Sequence, residues 1–192
     1  MSKTSDNIGE ISIYGEIVSD KWFDEETSAT SFKDDLNDLG DVDVINLHIN
    51  SPGGSVFEGI AIHNMLKMNK AKINVYVDGL AASIASVIAM SGDTIFMPEN
   101  SMLMIHNPWT IAMGNSKELR KQADDLDRIA KSSIKTYLSK SNGKIDEETL
   151  VKLLDEETWL SAQEAVDYGL ADEVLESNKA VASLPGEFLE RY

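Results

Sequence analysis

The sequence predicts an α/β protein built on a parallel, twisted sheet with crossover helices, and three observations carry that prediction. Short apolar runs rich in Ile and Val alternate along the chain with segments of helical spacing. The breaks between them fall on Gly, Pro and Asn, which end helices and open turns. A chain of 192 residues with 42% hydrophobic content is also long enough to bury one substantial core.

Taken in order, residues 11–15 alternate as a strand, Ile11-Ser12-Ile13-Tyr14-Gly15. Residues 23–39 have helical spacing, with Phe32, Leu36 and Leu39 on one stripe and Gly40 as the stop. Residues 44–49 form a strand that ends at Asn50-Ser51-Pro52-Gly53-Gly54, read as a turn opening a helix over 56–68. A third strand covers 73–77, the turn Asp78-Gly79 follows, and a helix of small residues runs over 82–90. Two short apolar strands are expected at 94–97 and 103–106. Beyond Gly114, Asn115-Ser116-Lys117-Glu118 can cap a helix. Leu119, Ala123, Leu126, Ala130, Ser133 and Tyr137 then step by three and four, predicting a helix over 116–140 that would be ~36 Å long. That length suits a stripe shared with another subunit or with the domain's own core. A short helix over 146–154, a capping box at Ser161 with Glu164, a helix ending at Gly169 and a last strand over 170–175 complete the reading. The organisation is therefore a polar, flexible start (1–7), one domain (8–175) and a loosely held tail (176–192).

Composition excludes several function classes. The net charge of −16 argues against nucleic acid, whose phosphates call for clustered Lys and Arg. No run of ~18 apolar residues is present to span a membrane, and residues 1–7 lack the layout of a secretory signal. With no cysteine there is no disulfide, thiol nucleophile or cysteine-ligated metal, which suits a cytoplasmic protein. No histidine and carboxylate cluster has metal-ligand spacing, so no metal or organic cofactor is expected.

Three segments at strand ends carry the chemistry, where parallel sheets place their sites. Ser83 opens a helix directly after a strand, so its amide and that of Ile84 fall where negative charge is favoured. Ser86, one turn deeper, reads as burying its hydroxyl in the helix. Gly53 and Gly54 form a turn whose backbone freedom would let an amide face a substrate carbonyl. Of three histidines, His48 sits mid-strand and His63 on a helix, whereas His106 ends a strand before Asn107-Pro108 and can project into a cleft. A carboxylate should orient that imidazole, and spacing does not choose among Asp155, Glu156 and Glu157. The set is that of acyl transfer: nucleophile, base and oxyanion donors.

Four segments together, Ile49-Asn50-Ser51-Pro52-Gly53-Gly54, Gly79-Leu80-Ala81-Ala82-Ser83, Met104-Ile105-His106-Asn107-Pro108 and Trp159-Leu160-Ser161-Ala162-Gln163-Glu164-Ala165, closely resemble the ClpP family of serine peptidases over residues 11–175. The wording around Ser83 and His106-Asn107-Pro108-Trp109 is similar to phage and prophage members, often described as head-maturation proteases. The resemblance implies the ClpP/crotonase-like fold of repeated β-α units with a protruding handle helix, here 116–140. It implies Ser83 as nucleophile, His106 as base, and the Gly54 and Ile84 amides as oxyanion donors. The family's aspartate two positions before the aromatic is Glu157 here, so Glu157 or, in its place, Asp155 completes the triad. Flexible polypeptide would be cut inside a homo-oligomeric chamber of stacked rings, or capsid and scaffold protein within a procapsid. An ATP-driven unfoldase partner is open, because the start of the chain does not visibly match the family's axial loops.

Three other readings stand beside this one. A crotonase-like acyl-CoA enzyme would use the glycine amides without needing both Ser83 and His106. A Ser/Lys hydrolase would need a lysine base, with Lys70 and Lys72 the nearest candidates. A catalytically idle ring subunit would suit the carboxylate departure.

Overall fold

In a computed structural model, which describes residues 2–3, 7–23 and 25–176, eight strands form one sheet with six helices around it. The strands are β1 (Ser2–Lys3), β2 (Ile8–Ile17), β3 (Val44–Gly54), β4 (Lys72–Ala82), β5 (Thr94–Pro98), β6 (Met102–Ile105), β7 (Thr158–Ser161) and β8 (Glu173–Leu175). The helices are α1 (Ala29–Leu39), α2 (Val56–Lys67), α3 (Ile84–Ala89), α4 (Ser116–Ser141), α5 (Glu147–Asp155) and α6 (Ala162–Asp167). The order across the sheet is β1-β2-β3-β4-β5-β8, parallel from β2 onward, with β1 antiparallel at the edge.

Alternation of side chains explains the layers. Ile11, Ile13 and Ile17 of β2, Ile45, Leu47 and Ile49 of β3, and Ile73, Val75 and Val77 of β4 are all buried. They share one core with Phe32 of α1, Ile62 and Leu66 of α2, and the whole of α3. The other face of these strands carries Glu10, Asn46, His48, Asn74 and Tyr76, a polar and aromatic row outside that core.

The sheet divides at β4, and that division builds the site. The first half of β4 pairs with β5 (Asn74 with Thr94) and the second half with β6 (Ala82 with Met104). β7 then adds antiparallel to β6, ending in the pair Ile105 with Thr158.

Several expected boundaries moved, each for a local reason. α1 starts at Ala29 rather than 23, because Ser28 and Ser31 form a capping box; upstream, the Glu26 carboxylate accepts the amides of Trp22 and Phe23 in a turn. Asp78-Gly79 is no turn: β4 runs through it to Ala82, and α3 starts only at Ile84. Gly53 and Gly54 likewise remain in β3, with Ser55 at the N-terminus of α2. β7 is a strand that the sequence reading missed, and the last strand is shortened to Glu173–Leu175.

α4 begins with the expected box, Asn115 accepting from the Lys117 and Glu118 amides while Glu118 reaches back. It stops at Asn142 in the left-handed conformation. Only Ser133, Tyr137 and Ser141 are buried, so the N-terminal half, including Leu119, stands out from the body as a handle. The expected flexible start and loose tail lie largely outside the described residues. Among the described residues, no helix is long and apolar enough to cross a membrane.

Candidate active site

Strand register brings the site together. Ala82 pairs with Met104, and the Ser83 amide donates to the Met104 carbonyl at 2.9 Å. Ser83 and His106 therefore leave the same end of two parallel neighbours, and the His106 Nε2 to Ser83 Oγ distance is 2.7 Å. An imidazole nitrogen at that separation can take the hydroxyl proton, provided Nδ1 carries the ring's own hydrogen. Antiparallel pairing of Ile105 with Thr158 makes Glu157 the next residue opposite His106. Its Oε2 lies 3.6 Å from His106 Nδ1, an ion-pair distance once the ring is charged but longer than a hydrogen bond.

This geometry separates the three acids that spacing left open. Glu157 faces the imidazole, with a side chain 59% exposed and a backbone φ of +50°. Asp155 instead accepts a 2.6 Å hydrogen bond from Asn107 Nδ2, and Asn107 donates its amide to the Leu154 carbonyl. Asp155 thus secures the chain just after His106 and does not reach the ring. Glu156 lies 3.9 Å from Lys152 at the surface.

Ser83 itself sits at φ +55°, ψ −128°, a conformation that costs a non-glycine residue on the order of 1–3 kcal/mol. Gly53 makes room for it. At φ +93°, a Cβ on Gly53 would lie 2.7 Å from the Ala82 carbonyl oxygen and 2.8 Å from Ser83 Cβ. Gly54, at φ +142°, packs against the Ile17 carbonyl with no space for a side chain. Two amides of the neighbourhood are already used, since the Gly53 amide donates to the buried Ser51 hydroxyl at 3.1 Å and Ser83 donates to Met104. The expectation that the Ser83 amide is available to an anion is thereby corrected.

The site opens into a cleft of about 460 Å³, lined by Glu16, Pro52, Val56, Met104, Pro108 and Trp109. The cleft is large enough for an extended peptide segment and is mostly apolar.

The other two histidines lie elsewhere. His48 is on the far face of the sheet, its Nδ1 2.9 Å from Asp78, its Nε2 3.4 Å from Glu10, and its ring stacked on Tyr76. Burial alone would lower its pKa, but the hydrogen bonds and charges of Asp78 and Glu10 outweigh this and hold it at about 9. His63 bonds the Val87 carbonyl, and burial lowers its pKa. Lys72 begins β4, ten residues before the end that carries Ser83, so β4 holds the two apart.

Sequence reasoning missed the Asn107–Asp155 clamp and the Ser51 support of Gly53. It also missed Tyr137, whose hydroxyl lies 2.7 Å from Ser86 Oγ beneath Ser83. Tyr137 occupies an apolar position of the α4 stripe, so periodicity counted it as core and gave no sign of the hydroxyl's use.

Comparison with known proteins agrees with the geometry. The family model for Clp protease matches residues 18–178. The chain is 38% identical over 139 residues to the ATP-dependent Clp protease proteolytic subunit of Ligilactobacillus salivarius, covering 71% of this chain and 70% of that one. It is 37% identical over 134 residues to the ATP-dependent Clp protease proteolytic subunit 1 of Prochlorococcus marinus, covering 69% and 68%. A solved structure of a ClpP1 mutant from Listeria monocytogenes superposes with a TM-score of 0.74 at 28% identity, covering 90% of this chain and 94% of that one. The match to the Clp protease model over most of the chain, together with relatives of 37–38% identity, places this chain in the Clp protease family as a ClpP-like serine peptidase.

Proposed function

We propose that Ser83 attacks a peptide carbonyl while His106 takes its proton and later returns it to the leaving amine. Glu157 steadies the imidazolium, and the Gly54 and Ile84 amides hold the oxyanion. The observation that carries this reading is the 2.7 Å approach of His106 Nε2 to a Ser83 held at positive φ. The amides of Gly53 and Ser83 are committed elsewhere, which favours Gly54 and Ile84 as the donors. No cofactor enters this chemistry.

The substrate under this reading is flexible polypeptide, since an open cleft of mostly apolar lining accepts extended chain more readily than a folded surface. The exposed half of α4 supports a homo-oligomer of stacked rings, with the handle covered by another copy. The names of the relatives, proteolytic subunits of ATP-dependent proteases, support an unfoldase partner. Processing of phage capsid or scaffold protein is a narrower choice of substrate for the same centre.

Fluorophosphonate labelling and casein cleavage test the catalytic assignment. Wild type should be modified at Ser83 and cleave casein, and Ser83→Ala should do neither. Equal cleavage by both proteins would remove Ser83 from the mechanism. An unmodified wild type that turns over acyl-CoA would favour the crotonase-like reading, and one without either activity the idle subunit.

A further inference from the structure

The strained backbone at Ser83 is held from below by a hydroxyl relay that begins on the handle helix. Ser86 and Tyr137 are buried, at 0% and 1% exposure. Ser86 Oγ lies 2.5 Å from the Ser83 carbonyl oxygen and 2.7 Å from Tyr137 Oη. The direction of both bonds follows from counting hydrogens. A carbonyl oxygen only accepts, so the single Ser86 hydroxyl hydrogen points to Ser83. The Ser86 oxygen must then accept from the Tyr137 O–H. Burial raises the Tyr137 pKa well above the usual phenol range, so the donor keeps its proton throughout any working pH.

The Ser83 carbonyl and the Ile84 amide belong to one planar peptide unit. No peptide in the described chain is cis, so the carbonyl and the N–H of this unit point in opposite directions. Two donors from Ser86, its amide at 3.0 Å and its hydroxyl, hold the carbonyl toward the interior. The Ile84 N–H is thereby turned the other way, toward Gly53 and the cleft: a Cβ built on Gly53 would stand 3.2 Å from Ile84 N.

We propose that Tyr137 and Ser86 are positioning residues that aim the Ile84 amide at the developing oxyanion, coupling the base of the handle helix to the rate of the chemical step. This rests on the serine-peptidase reading above. Nothing in the relay touches substrate, so its effect should fall on kcat rather than on KM. Loss of an oxyanion donor typically costs ~100- to 1,000-fold in rate, and a misaimed one should cost about tenfold or more.

The test uses the full chain in its own assembly, with wild type, Tyr137→Phe, Ser86→Ala and the double variant. Each is measured on a fluorogenic peptide amide and with a peptide boronate, whose tetrahedral adduct places an oxygen among the same donors. The expected result is a fall of about tenfold or more in kcat and in boronate affinity, with KM within about twofold. The double variant should be no worse than the poorer single one, because both break one chain of bonds. If Tyr137→Phe does not fold, Ser86→Ala carries the same comparison. Wild-type kcat in the variants would overturn the relay, as would lost thermal stability with boronate affinity unchanged. If wild type itself is not labelled at Ser83 by fluorophosphonate, the serine-peptidase reading falls and the relay with it. Labelled wild type with unaffected variants removes the relay alone.

Discussion

Replacing Glu157 by Gln should slow this enzyme far less than loss of a buried triad aspartate slows other serine peptidases. The carboxylate stands 3.6 Å from His106 Nδ1, with 59% of its side chain exposed. At that separation, Coulomb's law gives about 1 kcal/mol in water and about 5 kcal/mol at an effective dielectric of about 20. Exposure places the pair near the watery end, so the imidazolium gains about 1–2 kcal/mol, equivalent to ~5- to 30-fold in kcat/KM. A buried, hydrogen-bonded aspartate is worth ~10⁴-fold in the chymotrypsin-type triad. The assay is kcat/KM on a fluorogenic peptide for wild type and Glu157→Gln, at low salt and in about 1 M salt. The screening length falls to ~3 Å in the latter, so the advantage of wild type should shrink there. A loss of 1,000-fold or more, or a variant equal to wild type at low salt, would refute the reasoning.

Gly53→Ala should lower activity by ~100-fold or more, because a methyl group at φ +93° meets the Ala82 carbonyl and Ser83 Cβ and pushes Ser83 off His106; fluorophosphonate labelling rates should fall in step with kcat. His48 gives a pH-dependent stability. Its pKa is raised from 6.5 to about 9 on folding, so the stabilising contribution is complete below about pH 6.5 and is lost as pH rises through about 9. The contribution is at most about 3 kcal/mol. Thermal melts between pH 6 and 10 should show wild type losing stability across that window, while His48→Phe shows a flatter profile.

How much of this was legible in the chain depends on whether the cause was local. Alternation in β2, β3 and β4 was readable because every second side chain enters one core, and the capping boxes at Asn115 and Ser161 because they lie within four residues. Boundaries failed where a partner strand overrode the local signal. Asp78-Gly79 looks like a turn, yet β3 and β6 pair on either side and carry β4 through to Ala82. Gly53-Gly54 stays in β3 for the same reason, paired with Glu16 and Ile17. β7 is four residues long and takes its form from pairing with β6.

The sequence by itself determined the α/β class, the order of its elements, the handle helix and the pairing of Ser83 with His106, since each is written in periodicity, in caps or in residues with few competitors of their type. Only the tertiary structure decided which acid faces the imidazole, which glycine and serine amides are already taken, and that Tyr137 reaches beneath Ser83. Those facts depend on register between strands distant in sequence and on hydroxyl directions in a packed interior. Register is a cooperative property of the whole sheet, where a shift of one residue turns every side chain to the opposite face, and no local pattern records it.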